Sequence, residues 1–516
     1  MTQTQPSAAM VPDRQLTLSQ YSELMNDVVA RARVVQKSWS ALSVVERVKP
    51  LKAMREMLSA EARSFAAAIA AENGKTELEA LTQEIVPTLD VLDFLAKNAV
   101  TILADKPHKI ATRQLYFRGK EAKVVREPYG VIGILGTWNY AFYLSFSQAL
   151  FALTAGNAVV LKAAEFSSVV TDHIRELATR AGYPADLFYA AAAGSGAGEA
   201  LCRAKCDKYI LTGSRRTGQA VLGILAQELK PAIVELSGCD PYIVLDDADM
   251  DLAARSVLWA AFQYSGQTCV APRRVFVSPA SRAAFLAALK KHWNENAEFL
   301  SHQGFLRAPL QAGMDEEKVR RLKQAGAVLE LGQEPVAGAK SPSAYFAPRV
   351  FSGVKAKDLK SEDFMSPVIF IIESANEDEM LAQVNDSEFA LGASVWTQDR
   401  AHAERWAKAV TAGQVWINDA IYSVALAEAP FGGHKDSGFG TTRGAEGLLE
   451  MTRLKFITAE WRSSAKRSRR HLPPYDPRSF EIVLCLQRLF FADTWKIRIH
   501  AITSLMRVLM KPKKKS

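Results

Sequence analysis

The 516-residue chain has only five cysteines: Cys202, Cys206, Cys239, Cys269 and Cys485. So odd and sparse a set argues against a disulfide framework and for a reducing compartment. Around Cys202 and Cys206 no Cys or His partners stand at zinc-like spacing, so no metal site is expected. The start, MTQTQPSAAMVPDRQ, lacks a basic segment followed by an apolar run and does not read as a secretory signal. No stretch of residues 480–510 as long as a membrane span is free of charge, which excludes a spanning helix there. Before residue 462 there is no internal repeat and no low-complexity linker. What is there, 48% hydrophobic and 23% charged residues, is ordinary globular composition. The length suits roughly two to four domains with large cores.

Charge is unevenly spread. Residues 462–516 carry fourteen Lys or Arg against three acids, so this tail holds +11 of a net +9 and leaves residues 1–461 at −2. The body is near neutral, and the basic character belongs to the tail alone.

Residues 17–105 are rich in Ala, Leu and Glu at helical spacing and read as a run of helices. IATRQLYFRGKEAKVVREPYG (110–130) alternates around Arg118-Gly119-Lys120, which predicts a β-hairpin. From 131 to about 245, short apolar strands (VIGILG, AVVLKAA, KYILTGS) alternate with helical segments. This βαβ patterning predicts a parallel, doubly wound sheet. A second such region, with YIVLDDA, RRVFVSP, PVIFII, GASVWT and QVWIND as strands, runs from about 242 to 425. Two α/β domains fit better than one.

Four features carry chemistry. In YILTGSRRTGQAV, Gly213, Ser214 and Gly218 lie between a strand and a helix, where free N–H groups can hold a phosphate. In VVLKAAE, Lys162 and Glu165 stand at the carboxyl end of a strand, the edge at which open α/β sheets bind ligands. In GTWNYAF, Asn139 directly follows a strand, and an Asn amide is a good oxyanion donor. In VELSGCDPYIV, Glu235 is a carboxylate in an apolar strand, either a paired core acid or a base of shifted pKa. Each alone has an ordinary structural reading. Cys269, in SGQTCVAP, is likewise either a small core hydrophobe or a nucleophile on a turn.

Read together, GTWN, VLKAAE, LTGSRRTG, VELSG, SGQTC, SPVIFI and APFGGHKDSGFG resemble the aldehyde dehydrogenase superfamily in order and spacing, over about residues 20 to 460. The TWNY and CVAP details look most like its fatty-aldehyde, class 3-type branch. The resemblance implies that Cys269 is the nucleophile, forming a thiohemiacetal and then a thioester. Asn139 and the Cys269 N–H would stabilise the oxyanion, and Glu235 would activate the hydrolytic water. It also implies NAD as cofactor. Lys162 and Glu165 would hold the adenosine ribose, Gly213, Ser214 and Gly218 the pyrophosphate, Trp138 the nicotinamide end, and Asp363 the nicotinamide ribose. Glu165 would repel a 2′-phosphate, so NAD is expected over NADP. The sequence departs from the family pattern at Asp363, Met365, Ser237, Cys239 and Thr137, none of which removes a reacting group. An acylating relative that passes the thioester to coenzyme A has no need of Glu235, and a non-catalytic scaffold has no need of the triad.

The expected architecture is aldehyde dehydrogenase-like: two doubly wound parallel-sheet domains plus a β oligomerisation arm. Residues 1–109 supply N-terminal helices of the cofactor domain, 110–126 the oligomerisation hairpin, 127–240 the NAD-binding α/β domain and 241–430 the catalytic α/β domain. Residues 431–461 are a return segment with an oligomerisation strand, and a homodimer is expected from the exposed sheet edge. RHLPPYDP (470–477) reads as a stiff spacer to the tail. In the tail, 480–516, apolar residues near helical spacing alternate with Lys and Arg, which suits an anionic membrane surface. Docking on the body or on a partner subunit is the other reading; no nucleic-acid readout motif accompanies the charge. The expected location is the cytoplasm, with the inner face of a membrane as the surface the tail would seek. The expected substrate is a medium- to long-chain aliphatic aldehyde, with aromatic aldehydes as runner-up.

Overall fold

The helix Leu18–Ala41 opens with a reciprocal cap. Thr17 Oγ1 accepts from the Gln20 N–H at 3.3 Å, and Gln20 Oε1 accepts from the Thr17 N–H at 2.9 Å. Its buried residues, Met25, Val28, Val29, Ala32, Gln36 and Trp39, recur on one helical face and pack on the sheet described next. This computed structural model describes residues 16–112, 120–334, 344–461 and 477–510. The start of the chain, the Arg118-Gly119 turn, residues 470–476 of the Pro-rich spacer and the closing basic run lie outside the described residues. The chain divides into two units. One runs to Ala104 and resumes over Arg126–Arg453; the other is Asp105–Val125 with the chain from Leu454 onward.

The first unit holds two α/β layers. Strands β1 (Val131–Leu135), β2 (Ala158–Ala163), β3 (Phe188–Ala192), β4 (Lys208–Thr212) and β5 (Ala232–Glu235) are parallel, in the order β5-β4-β1-β2-β3. The chain winds from β1 to β3 on one side, then returns to place β4 and β5 on the other. The order reverses between β1 and β4, and such a reversal is where open α/β sheets bind ligands, at the carboxyl ends of the strands. The second sheet comprises β6 (Asp240–Val244), β7 (Pro272–Val277), β8 (Val328–Gly332), β9 (Arg349–Ser352), β10 (Val368–Glu373), β11 (Gly392–Trp396) and β12 (Gln414–Ile417). Its order is β8-β9-β10-β7-β6-β11-β12, and only β8 is antiparallel. Helices cover both faces, which is why β1, β6 and β7 are buried at every position.

The two layers are joined by a return strand, β13 (Gly438–Phe439), which pairs antiparallel with β5 so that Gly438 stands opposite Glu235. A Cβ at Gly438 would lie 2.0 Å from the Val234 carbonyl oxygen, so this approach requires glycine.

The second unit contains a small antiparallel sheet in which Lys106–Pro107 pairs with Glu121–Pro128, with Thr452–Ala459 on the far side of the latter. Two helices, Ser479–Phe491 and Trp495–Met510, pack on each other and bury Ile482, Cys485 and Ala501. Phe480, Trp495, Ile499, Met506 and Met510 are left exposed. No helix among the described residues is long and apolar enough to cross a membrane.

Candidate active site

Cys269 is reached through a turn that costs energy to hold. Tyr264 and Ser265 have left-handed backbones, φ 49° and 54°, and Gly266 follows at φ 72°. Non-glycine residues in such conformations cost about 1–3 kcal/mol each and persist where their surroundings impose them. The surroundings are visible. The Ser265 N–H donates to Gln303 Oε1 at 2.7 Å, Ser265 Oγ accepts from the Gly304 N–H at 2.8 Å, and the Tyr264 N–H donates to Glu79 Oε1 at 2.8 Å. At Gly266 a Cβ would stand 2.6 Å from the Ser366 backbone. The turn delivers Cys269 partly open to solvent, whereas Cys202, Cys206, Cys239 and Cys485 are buried. The Cys269 N–H has no hydrogen-bond partner among the described residues.

Asn139 lies in the turn after β1, and its side chain is fixed at both ends. Oδ1 accepts from Thr137 Oγ1 at 2.8 Å and from the Tyr140 N–H at 3.0 Å, while Nδ2 donates to the Gln267 carbonyl at 2.9 Å. One amide hydrogen is thereby committed, leaving the second to point elsewhere. The Tyr140 hydroxyl lies 2.6 Å from Thr268 Oγ1, so the Asn139 turn and the Cys269 turn are stitched together.

Glu235, at the end of β5, is buried. Its Oε1 accepts from Cys269 Sγ at 3.2 Å, and its Oε2 from Thr212 Oγ1 at 3.4 Å. Gln148 Nε2 donates to the same Thr212 oxygen at 3.1 Å. Burial raises the Glu235 pKa, against the lowering effects of the Cys269 hydrogen bond and the Arg443 charge. Burial and the neighbouring carboxylate push the Cys269 thiol well above its ordinary value. Thiol and carboxylate are thus in direct hydrogen-bond contact, each with its pKa raised.

The segments that follow the carboxyl ends of β1, β2 and β4 carry most of the remaining candidates, and Asp363 lies before β10 of the second sheet. Trp138 is half-buried beside Asn139. The Lys162 side chain makes no hydrogen bond or ion pair among the described residues; burial lowers its pKa, with the Glu165 charge opposing. Glu165 is exposed next to the Gly194 backbone, where a Cβ would stand 3.2 Å from its Oε2. Ser214 caps the helix Arg215–Gln227 by accepting from the Thr217 N–H at 3.2 Å, which leaves the Arg215 and Arg216 N–H groups open. Two glycines are engaged with the protein itself. The Gly213 N–H donates to the Glu235 carbonyl at 3.0 Å, and a Cβ at Gly218 would meet Leu236 at 2.7 Å. Asp363 pairs with Lys318 Nζ at 3.1 Å. Burial opposes its ionisation, but Lys318 and a Ser237 hydrogen bond outweigh burial and hold the carboxyl below its usual value.

The family model described as the aldehyde dehydrogenase family matches residues 16–457. The chain belongs to the aldehyde dehydrogenase family. It is 33% identical over 442 residues to 4,4'-diapolycopene aldehyde oxidase of Methylomonas sp, covering 83% of this chain and 80% of that protein. Among solved structures, it resembles an NAD-dependent aldehyde dehydrogenase from Sinorhizobium meliloti with TM-score 0.77 and 28% identity, over 87% of this chain and 89% of that one. It resembles PnpE in complex with nicotinamide adenine dinucleotide with TM-score 0.78 and 25% identity, over 86% and 91%. The two parallel-sheet layers with a separate antiparallel sheet are the fold of this family.

Several buried polar groups of this aldehyde dehydrogenase have no local signature in the sequence. Arg273 Nη1 donates to the Ser366 carbonyl at 2.8 Å and its Nη2 to the Gly266 carbonyl, bracing the strained turn. Arg443 is buried, with Nη1 on the Tyr143 hydroxyl at 2.8 Å. Asp240 is buried with Oδ2 unpartnered among the described residues, and burial pushes its pKa up to about 8. A basic residue in a strand reads as solvent-facing, and nothing in the residues around Arg273 says otherwise.

Proposed function

We propose that this aldehyde dehydrogenase oxidises a medium- to long-chain aliphatic aldehyde to the carboxylic acid with NAD, using Cys269 as nucleophile, Glu235 as base and Asn139 as oxyanion donor. The observation that carries the chemistry is Cys269 Sγ donating to Glu235 at 3.2 Å in a turn tied to Asn139. Glu235 takes the thiol proton as sulfur attacks the carbonyl carbon. The new alkoxide is held by the free Asn139 amide hydrogen and the Cys269 N–H. NAD, when bound, supplies the acceptor for the hydride that leaves the substrate carbon. Glu235 then releases the thiol proton to solvent, and the thioester left on Cys269 is hydrolysed by a water that gives its proton to Glu235, from which it returns to the departing Cys269 thiolate. This covalent route splits one hard step into two easier ones.

The residues present fit the cofactor. An unpartnered, half-buried ammonium at Lys162, a carboxylate at Glu165 and open N–H groups after Ser214 follow the carboxyl ends of β2 and β4, the strands that flank β1. Lys162 and Glu165 would hold the adenosine ribose, and the Ser214 helix start the pyrophosphate. Gly213 and Gly218 would contribute by their lack of a side chain. Trp138 would flank the nicotinamide and Asp363 its ribose. The Glu165 charge favours NAD over NADP.

The chain-length preference rests on the tail. The helices Ser479–Phe491 and Trp495–Met510 expose apolar residues among Arg488, Lys496, Arg498 and Arg507, a pattern that suits an anionic lipid surface where long aldehydes partition. The strand Thr452–Ala459 exposes Leu454, Phe456 and Ile457, which favours pairing with a second copy as a homodimer. NADH formation against aldehydes of increasing length, with and without residues 462–516, tests this. The reading expects kcat/KM to climb with chain length and vesicles to stimulate only the intact chain. Best activity on short or aromatic aldehydes, unchanged by truncation, would contradict it.

A further inference from the structure

One buried ion pair reaches both turns of the site. Lys75 and Glu84 are each fully enclosed, and their side chains are paired. Lys75 Nζ also donates to the Asn139 carbonyl at 2.8 Å. It lies 3.9 Å from the centroid of the Tyr140 ring and 4.3 Å from that of Tyr264, where the negative ring faces favour a cation. Glu84 Oε2 accepts from the Phe142 N–H at 2.9 Å and the Tyr143 N–H at 3.2 Å. Glu84 itself comes from a π-helical turn, Leu81–Ile85, a widened winding found mostly at functional positions.

Stability does not account for the pair. Desolvating two charges costs several kcal/mol, and apolar residues of similar volume often serve as well. What the pair does that apolar residues could not is hold named backbone atoms. Lys75 holds position 139 and Glu84 holds 142 and 143. The two tyrosine rings flanking the ammonium belong to the two turns, and Tyr140 is bonded to Thr268, the neighbour of Cys269.

We propose that Lys75 and Glu84 are positioning residues that set the separation between the Asn139 amide and the Cys269 N–H. The inference rests on the oxyanion roles given above to those two donors. Neither charged group touches substrate; each acts through the turn it fixes.

A double-mutant cycle tests this. Lys75→Met and Asn139→Ala are made singly and together in the full chain, and kcat, aldehyde KM and NAD affinity are measured for each. Lys75→Met is expected to lower kcat about 10- to 100-fold, the scale of a misplaced catalytic group, with NAD affinity unchanged. Added to Asn139→Ala, it is expected to cost less than about threefold, because the donor it positions is already gone. Equal losses in both backgrounds would overturn the inference while leaving the site intact. An Asn139→Ala enzyme with full activity would overturn the site reading and this inference with it. If Lys75→Met does not fold, Lys75→Met/Glu84→Gln replaces it in the same cycle. That pair removes both charges yet keeps an acceptor for the Phe142 and Tyr143 N–H groups.

Discussion

The Cys269 thiol donates to the Glu235 carboxylate across 3.2 Å, and each group perturbs the other. In the mechanism proposed above, the proton between them is the first to move, and Glu235 is the group that receives it.

The acid limb of the pH profile follows. Burial raises the Glu235 pKa from its ordinary value, and the proposed reaction needs the ionised form. Activity should therefore fall on acidification at a pH above that of an ordinary glutamate. Glu235→Gln should abolish this limb and lower kcat by roughly 10²–10⁴. The pH dependence of kcat for both forms measures it; an unchanged limb in Glu235→Gln would assign the titration to another group.

Thiol reactivity should be selective. Burial pushes Cys202 and Cys206 up to about 12 and Cys239 up to about 11, and none of the three is accessible. Cys269 also has a raised pKa, but it is partly open and has a base in contact. Iodoacetamide followed by peptide mass spectrometry should label Cys269 first, more slowly in Glu235→Gln. Prior labelling of the other three in the folded protein would contradict this.

Asp240 should make stability depend on pH. Its folded pKa is about 8 against an ordinary 3.8, so between those values the folded state binds a proton that the unfolded state has released. Stability therefore falls as pH rises from about 4 to about 8 and levels off above. Asp240→Asn cannot ionise, so its Tm advantage over wild type should grow across that window. A constant Tm difference from pH 4 to pH 8 would show that Asp240 is ionised in the native protein.

How much was legible in the sequence depended on whether the information was local. Strands buried on both faces, such as Val131–Leu135 and Asp240–Val244, announce themselves as apolar runs. Glu235, Asn139 and Cys269 stand out because each breaks a local pattern: an acid in an apolar strand, an amide after a strand, a thiol on a Gly-containing turn. The supports do not. Lys75 meets Asn139 across 64 positions, and in ENGKTE it reads as a solvated helix start. The π-turn that aims Glu84 has no sequence marker, and neither does the burial of Arg273 and Arg443. Gly213 and Gly218 illustrate a subtler gap. Their sequence context points to phosphate, while the structure engages one through its N–H to Glu235 and packs the other against Leu236. Composition near a turn shows that close approach is needed, not what approaches.

The central claim is that Cys269 carries the acyl group during aldehyde oxidation. Its most direct test is NADH formation from a medium-chain aliphatic aldehyde by the full-length wild type and by Cys269→Ser, with intact-protein mass spectrometry of the reacting enzyme. The account predicts turnover and a transient acyl adduct on Cys269 in the wild type, and neither in Cys269→Ser. Wild-type rates from Cys269→Ser, or an adduct on another residue, would contradict it.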